Sequence, residues 1–143
     1  MSYNIYSLAD TRVVLYHPHV GTAILSLCGI GKIVVSYAGD LSSHTATADG
    51  SVVVNRLRTQ NATVTVEIPQ NSIGDQFMRK WIKYLRNTQS EKYLLSTLTI
   101  TDPSGGPTIT MTGVTPQKTP DRTYDRTSSN LTYTLLAAEV TEQ

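Results

Sequence analysis

The chain has 143 residues, 16% of them charged, a net charge of +1 and one cysteine. That length buries about 68% of the unfolded surface without help from metals, and one cysteine excludes an internal disulfide framework. Near-neutral charge excludes a global basic field that would draw nucleic acid by counterion release, and no apolar run nears the ~20 residues of a membrane-spanning helix.

The charged fraction is below the ~25% usual for soluble domains, yet aromatics are only 7%, so the low charge points to surface covered by protein partners. The opening Met-Ser-Tyr-Asn-Ile-Tyr-Ser has no basic segment followed by an apolar one, and a secretory signal is not expected. One domain over residues 1–143 is the simplest reading.

In chain order, Arg12 to Tyr16, Ala23 to Leu27 and Lys32 to Tyr37 read as strands, with Gly29 and Gly31 as turn or bulge points. Residues 38–50 are small and polar and read as a long loop, about 39–50, of the kind that carries function or mobility. Strand character resumes at Ser51 to Leu57 and at Asn61 to Ile68, and the two are expected to pair as a hairpin turning near Thr59-Gln60-Asn61. Val13-Val14-Leu15, Ile33-Val34-Val35 and Val52-Val53-Val54 are apolar on consecutive residues, so they need cover on both faces.

One helix is predicted, from about residue 72 to 87. Ser72 followed by Asp75 resembles a capping box. Phe77, Trp81 and Leu85, with Ile73, Met78 and Ile82, form an apolar stripe, and Arg79, Lys80, Lys83 and Arg86 lie opposite. Thr97-Leu98-Thr99-Ile100-Thr101 and Thr108-Ile109-Thr110-Met111-Thr112 then alternate with a period of two around the turn Asp102 to Gly106. Thr115 to Arg126 reads as a loop, and Asn130 to Leu136 as a last strand with Leu131, Tyr133 and Leu135 inward. The fold class is mainly β, an antiparallel sandwich or barrel with one packed amphipathic helix.

No residues form a catalytic site: neither a nucleophile–base pair nor a carboxylate pair can be picked out. His17-Pro18-His19 puts two imidazoles on one side of an extended segment, but zinc needs further ligands, so these read as surface histidines beside a turn, and no metal or cofactor is expected. Cys28 reads as a small buried hydrophobe. The basic helix face suits solvent or an acidic protein partner better than nucleic acid, because its aromatics point with the apolar stripe.

Taken in order, the chain resembles the tail tube proteins of contractile-tailed bacteriophages. The resemblance rests on Tyr3 to Asp10 leading into Val13-Val14-Leu15, on Gly31 to Tyr37, on Ala48-Asp49-Gly50-Ser51 and on Asn71-Ser72 opening the helix. It continues through Gly113 to Lys118 and Pro120-Asp121-Arg122-Thr123-Tyr124. The Ser-Pro pair of that family at the helix start is Ser72-Ile73 here. The resemblance implies a structural virion protein, assembled in the host cytoplasm, that stacks as hexameric rings into the inner tail tube. It implies a lumen lined by a continuous β-barrel, through which double-stranded DNA and the tape-measure protein pass without specific binding. The other implied partners are the tail sheath protein and the baseplate and tail-terminator proteins, with no membrane insertion.

On that reading Asp40, Leu41, His44 and Asp49 are the candidate inter-ring contacts, in a loop that orders only against the next ring. Asn55, Thr63, Thr65 and Glu67 are lumen candidates in the central hairpin. Arg79, Lys83 and Arg86 are candidates for the outer face offered to the sheath. A second reading is a monomeric β-sandwich binding module of a phage tail or fibre, taking a carbohydrate or a receptor through residues such as Tyr37, Tyr124 and Tyr133.

Overall fold

Period-two alternation sets the architecture of this computed structural model, which describes residues 11–25, 31–56, 60–103, 105–127 and 129–142. The N-terminal motif from Tyr3, and Cys28 and Gly29, lie outside the described residues. The strands are β1 (Arg12–His17), β2 (Gly21–Ile24), β3 (Lys32–Tyr37), β4 (Ser42–Ala46), β5 (Val52–Arg56) and β6 (Ala62–Pro69). Helix α1 (Ile73–Asn87) and a single turn α2 (Ser90–Tyr93) follow. The chain then runs through β7 (Thr97–Thr101), β8 (Ile109–Thr112), β9 (Thr115–Lys118), β10 (Asn130–Ala137) and β11 (Glu139–Glu142).

These strands form three antiparallel groups. Sheet one has the order β11-β8-β7-β1-β2, sheet two the order β3-β6-β10-β9, and β4 pairs only with β5. Sheet two is built on the long β6–β10 ladder, in register from Asn130 opposite Pro69 to Ala137 opposite Ala62. Val64, Val66, Ile68, Leu131, Tyr133 and Leu135 from sheet two meet Val13, Leu15, Leu98 and Met111 from sheet one, and α1 joins them through Met78, Trp81 and Leu85. Burying each of these large side chains contributes roughly 2 kcal/mol. Among the described residues neither sheet closes on itself, and no closed barrel is formed.

The helix starts where the sequence places it. Ser72 is the N-cap, its Oγ accepting the Asp75 N–H at 3.2 Å, the geometry that satisfies one orphan amide of the first turn. Asp75 is too short to reach back to Ser72 and instead accepts the Asn71 N–H at 2.9 Å. Trp81 is fully buried, and its indole N–H donates to Ser96 Oγ at 2.8 Å. Ile73, expected in the apolar stripe, is 78% exposed, because it occupies the first helical position, before the stripe turns inward.

Two strand pairings depart from the sequence reading. Residues 42–46 are a strand, not part of a loop, and β5 pairs with this strand and not with β6. β5 and β6 therefore do not form the expected hairpin, whose turn near Thr59 falls partly outside the described residues, and β6 takes β3 and β10 as partners. Ser42 to Ala46 shows no apolar alternation, so its strand character comes from the turn that follows it. Gly50 N–H bonds to Thr47 O at 3.1 Å and Thr47 N–H to Ser51 O at 2.8 Å, with Gly50 at φ +89°, the glycine-bulge turn of a short hairpin. Similarly, Thr115 to Lys118 pairs with β10 as an edge strand, where Pro116 is tolerated because one side of an edge needs no donor.

The chain passes between the sheets twice at one corner. Between β8 and β9 it turns at Gly113, φ +63°, where an added Cβ would lie 2.8 Å from Ala138 Cβ. Ala138, at the turn from β10 to β11, donates its N–H to Thr112 O at 3.1 Å. Gly113 is thus required both by its backbone and by the closeness of the second crossing.

Candidate functional site

The β4–β5 hairpin has every residue exposed along both strands. Its register places His44 opposite Val54 and Ala46 opposite Val52. Alternation then puts His44, Ala46, Val52 and Val54 on one face, and Ser43, Thr45, Val53 and Asn55 on the other. Val52 and Val54 are 56% and 63% exposed, and Leu41, just before β4, is 79% exposed. One face of this arm is largely apolar and, among the described residues, uncovered.

The candidate contact residues separate by role. Leu41 and His44 are displayed outward, and Asp40 is exposed beside Leu41. Asp49 instead builds the tip: its Oδ1 accepts the Thr47 hydroxyl and, at 3.0 Å, the Ser51 N–H. The Thr47 hydroxyl, then the Ser51 amide, lower its carboxyl to about 2. The tip of the arm is thus closed by hydrogen bonds within the hairpin itself.

Sheet two turns Thr63, Thr65 and Glu67 away from the core, alternating with buried Val64, Val66 and Ile68. Their cross-strand partners complete a face. Lys32, Glu67 and Thr132 form one row, Val34, Thr65 and Thr134 a second, and Ser36, Thr63 and Leu136 a third. The ladder sets Lys32 opposite Glu67 and, at the β9 edge, Lys118 opposite Thr134, and the rest of these rows is hydroxyl and aliphatic. Asn55 does not belong to this face. It sits on β5, where its Nδ2 donates to Ser43 Oγ at 3.3 Å, because β5 left the pairing that the sequence suggested.

Helix α1 presents Arg79, Lys80, Lys83 and Arg86 to solvent. Arg86 Nη2 donates to Thr119 Oγ1 at 3.0 Å, and Arg79 Nε lies 3.7 Å from Asp75 Oδ2. Asp75 is the residue the sequence undervalued. Fully buried, it accepts Tyr133 OH at 2.6 Å and Arg122 Nη2 at 2.7 Å besides the Asn71 amide. Burial pushes its carboxyl up, but the bonds from Tyr133, Arg122 and Asn71 and the Arg122 charge outweigh that and hold it below the ordinary carboxylate range. Burial first, and then the Asp75 bond, raise the Tyr133 phenol. This cluster pins the 119–127 segment to the helix start and to β10. The one signal for it was an aspartate where a capping box prefers glutamate.

His17, expected at the surface, is buried. Its Nδ1 accepts the His19 N–H at 3.1 Å, so the proton sits on Nε2, which donates to Lys92 O at 3.0 Å. Both nitrogens are thereby occupied, and Tyr84 packs edge-on against the ring with centroids 5.1 Å apart. Among the described residues no group of three or more His, Cys, Asp or Glu is placed to hold a metal. The molecule's chemistry lies in its open sheet edges, its apolar arm and two contrasting faces, and such features serve association.

Known proteins match this chain in sequence family and in fold. A family model described as Bacteriophage PhiTE tail tube protein matches residues 4–143. No curated protein matches significantly. Among solved structures, the fold is similar to the PVC sheath/tube terminator of an extracellular contractile injection system in its extended state. There the TM-score is 0.65 at 15% identity, over 100% of this chain and 99% of that one. It is also similar to the PVC sheath-tube complex in the extended state, with a TM-score of 0.63 at 14% identity over 97% of this chain and 91% of that chain. The anti-feeding prophage tube terminating cap gives a TM-score of 0.60 at 14% identity, covering 100% and 93%. At these identities the structures attest the fold.

Proposed function

This chain belongs to the family of the Bacteriophage PhiTE tail tube protein, and we propose that it stacks as hexameric rings into the inner tube of a contractile phage tail. Tail tube proteins are structural parts of the virion tail, not enzymes. The observation that carries the finer reading is sheet two, which ends on β3 at one side and β9 at the other. Two different edges on one sheet suit head-to-tail pairing between neighbours, and such heterologous contacts make a ring when the rotation between neighbours closes. Ring closure would satisfy edges that otherwise invite uncontrolled pairing.

In such a ring the outward rows of sheet two line the lumen, with Thr63, Thr65 and Glu67 facing the passage. A face mostly of hydroxyls, with Lys32 and Glu67 offsetting each other and Lys118 a single further cation at the β9 edge, gives DNA no continuous cationic track to bind. The conduit acts by not adhering to DNA or to the tape-measure protein as they pass. The β4–β5 arm, led by Leu41 and His44, reaches the next ring, while Asp40 flanks that contact and Asp49 shapes the tip. Arg79, Lys83 and Arg86 face outward to the sheath. The likeness to a sheath-tube complex and to tube terminators supports sheath and terminator proteins as partners, in a tail assembled in the host cytoplasm.

Electron microscopy of the concentrated, purified protein tests this reading. Stacked rings with a central channel are expected. Particles that stay monomeric would favour the binding-module alternative, and single rings that never stack would point to a terminating role.

A further inference from the structure

Two hollows flank the solvent ridge of α1. On one side His19, Val20, Lys80, Lys83 and Tyr84 line a cavity of about 360 Å³. On the other, Arg79, Ile82, Lys83, Arg86 and Thr119 line one of about 450 Å³. Lys83 and Asn87 belong to both, so the hollows are adjacent on the helix surface. Among the described residues no carboxylate lines either one. Apolar and aromatic side chains share the lining with the cations: Val20 and Tyr84 in the first, Ile82 and Tyr133 in the second.

We propose that these adjacent hollows dock an acidic protein segment that carries an apolar or aromatic side chain, seated between Tyr84 and Val20. The proposal rests on the tail-tube reading, in which this face is the tube exterior, and adds what the sheath-side partner must offer. The occupant follows from two requirements at once. Arg79 is paired with Asp75, but among the described residues Lys80, Lys83 and Arg86 have no carboxylate within ion-pair reach, and such cations call for negative charge, which steers encounter and fixes register. The apolar and aromatic part of the lining calls for a hydrophobic anchor, since binding energy concentrates where a buried side chain fills a pocket and excludes water. A phosphodiester backbone meets the first requirement and not the second. Tyr84 is also engaged already, with His19 stacked at 6.3 Å and His17 edge-on at 5.1 Å, so it offers a fixed wall and not a platform for bases. The sequence marked Arg79, Lys83 and Arg86; the geometry adds His19, Val20, Lys80 and Tyr84 as the anchoring half.

The test titrates the full-length protein with three probes: a Glu/Asp-rich peptide with one central Phe, the same peptide with Phe replaced by Ser, and single-stranded DNA of matching charge. Binding by the Phe peptide is expected, weakened about tenfold without the Phe and falling as salt rises. Val20→Asp and the double variant K80E/K83E should each remove at least about ninety per cent of it, while Arg12→Glu, exposed on β1, leaves it unchanged. Equal binding of the two peptides, tighter binding of DNA, or no effect of Val20→Asp and K80E/K83E would each overturn the proposal. Thermal melts confirm that the variants fold. Electron microscopy of the same samples separates the two readings: tubes without peptide binding sink the docking site alone, and absence of tubes sinks the tail-tube reading.

Discussion

At the scale of single residues, the most consequential group is the Asp75 carboxylate. Removing one partner of a buried, hydrogen-bonded charge leaves the other uncompensated, at a cost of about 3 kcal/mol. Asp75→Asn keeps the volume while losing the charge that faces Arg122 at 2.7 Å. It should lower the urea midpoint by that amount of stability with an unchanged slope. The pH dependence has a definite sign. Because the folded state holds Asp75 below its ordinary value, its contribution is complete above the unfolded pKa of about 3.9 and is lost as pH falls through the lower folded value. Wild type should therefore lose stability more steeply below about pH 4 than Asp75→Asn does, and a difference of zero between the two slopes would contradict this account. Gly113 is the second such position. Gly113→Ala must take φ +63° and press on Ala138, so a loss of about 2 kcal/mol is expected in the same measurement.

At the scale of elements, the β4–β5 arm separates folding from assembly. Its residues touch solvent within the chain, and surface substitutions away from structural features usually stay within about 0.5 kcal/mol. Val52→Asp with Val54→Asp should leave the melting temperature in place while preventing rings from stacking, read by sedimentation and microscopy. Deleting residues 41–47 should do the same, and normal tubes from either variant would remove the arm from the interface. How far the sequence revealed these elements depended on whether the signal was local. Helix α1 was legible because Met78, Trp81, Ile82 and Leu85 recur at helical spacing and Ser72 caps them. The Thr-alternating strands and Leu131-Tyr133-Leu135 were legible from period two alone. The arm was not, because Ser42 to Ala46 carries no apolar rhythm; Asp49-Gly50 was the hairpin signal, and it lay inside what read as a loop. Strand β11 escaped for a similar reason: Glu139 and Thr141 flank Val140, and its strand state depends on β8. Thr63, Thr65 and Glu67 could be grouped from spacing, whereas Asn55 could not be excluded, since its face depends on which distant strand β5 chooses. The Asp75 cluster joins residues 47 and 58 positions apart, beyond the reach of any local pattern.

At the scale of the whole molecule, one core serves two sheets and a helix, and what remains outside it is organised by direction. Sheet two shows a nearly uncharged face, α1 a cationic one, and the arm an apolar one. A lone chain gains little from such segregation, but a ring member needs each face for a different neighbour. The account stands on sheet two being completed at both ends by copies of the same chain. Hydrogen exchange, compared between dilute protein and assembled tubes, measures this most directly. The outward amides of β3 and β9 should exchange freely in the dilute state and become protected in tubes, together and to similar extents. Tubes in which those two strands exchange as fast as in the dilute protein would contradict it.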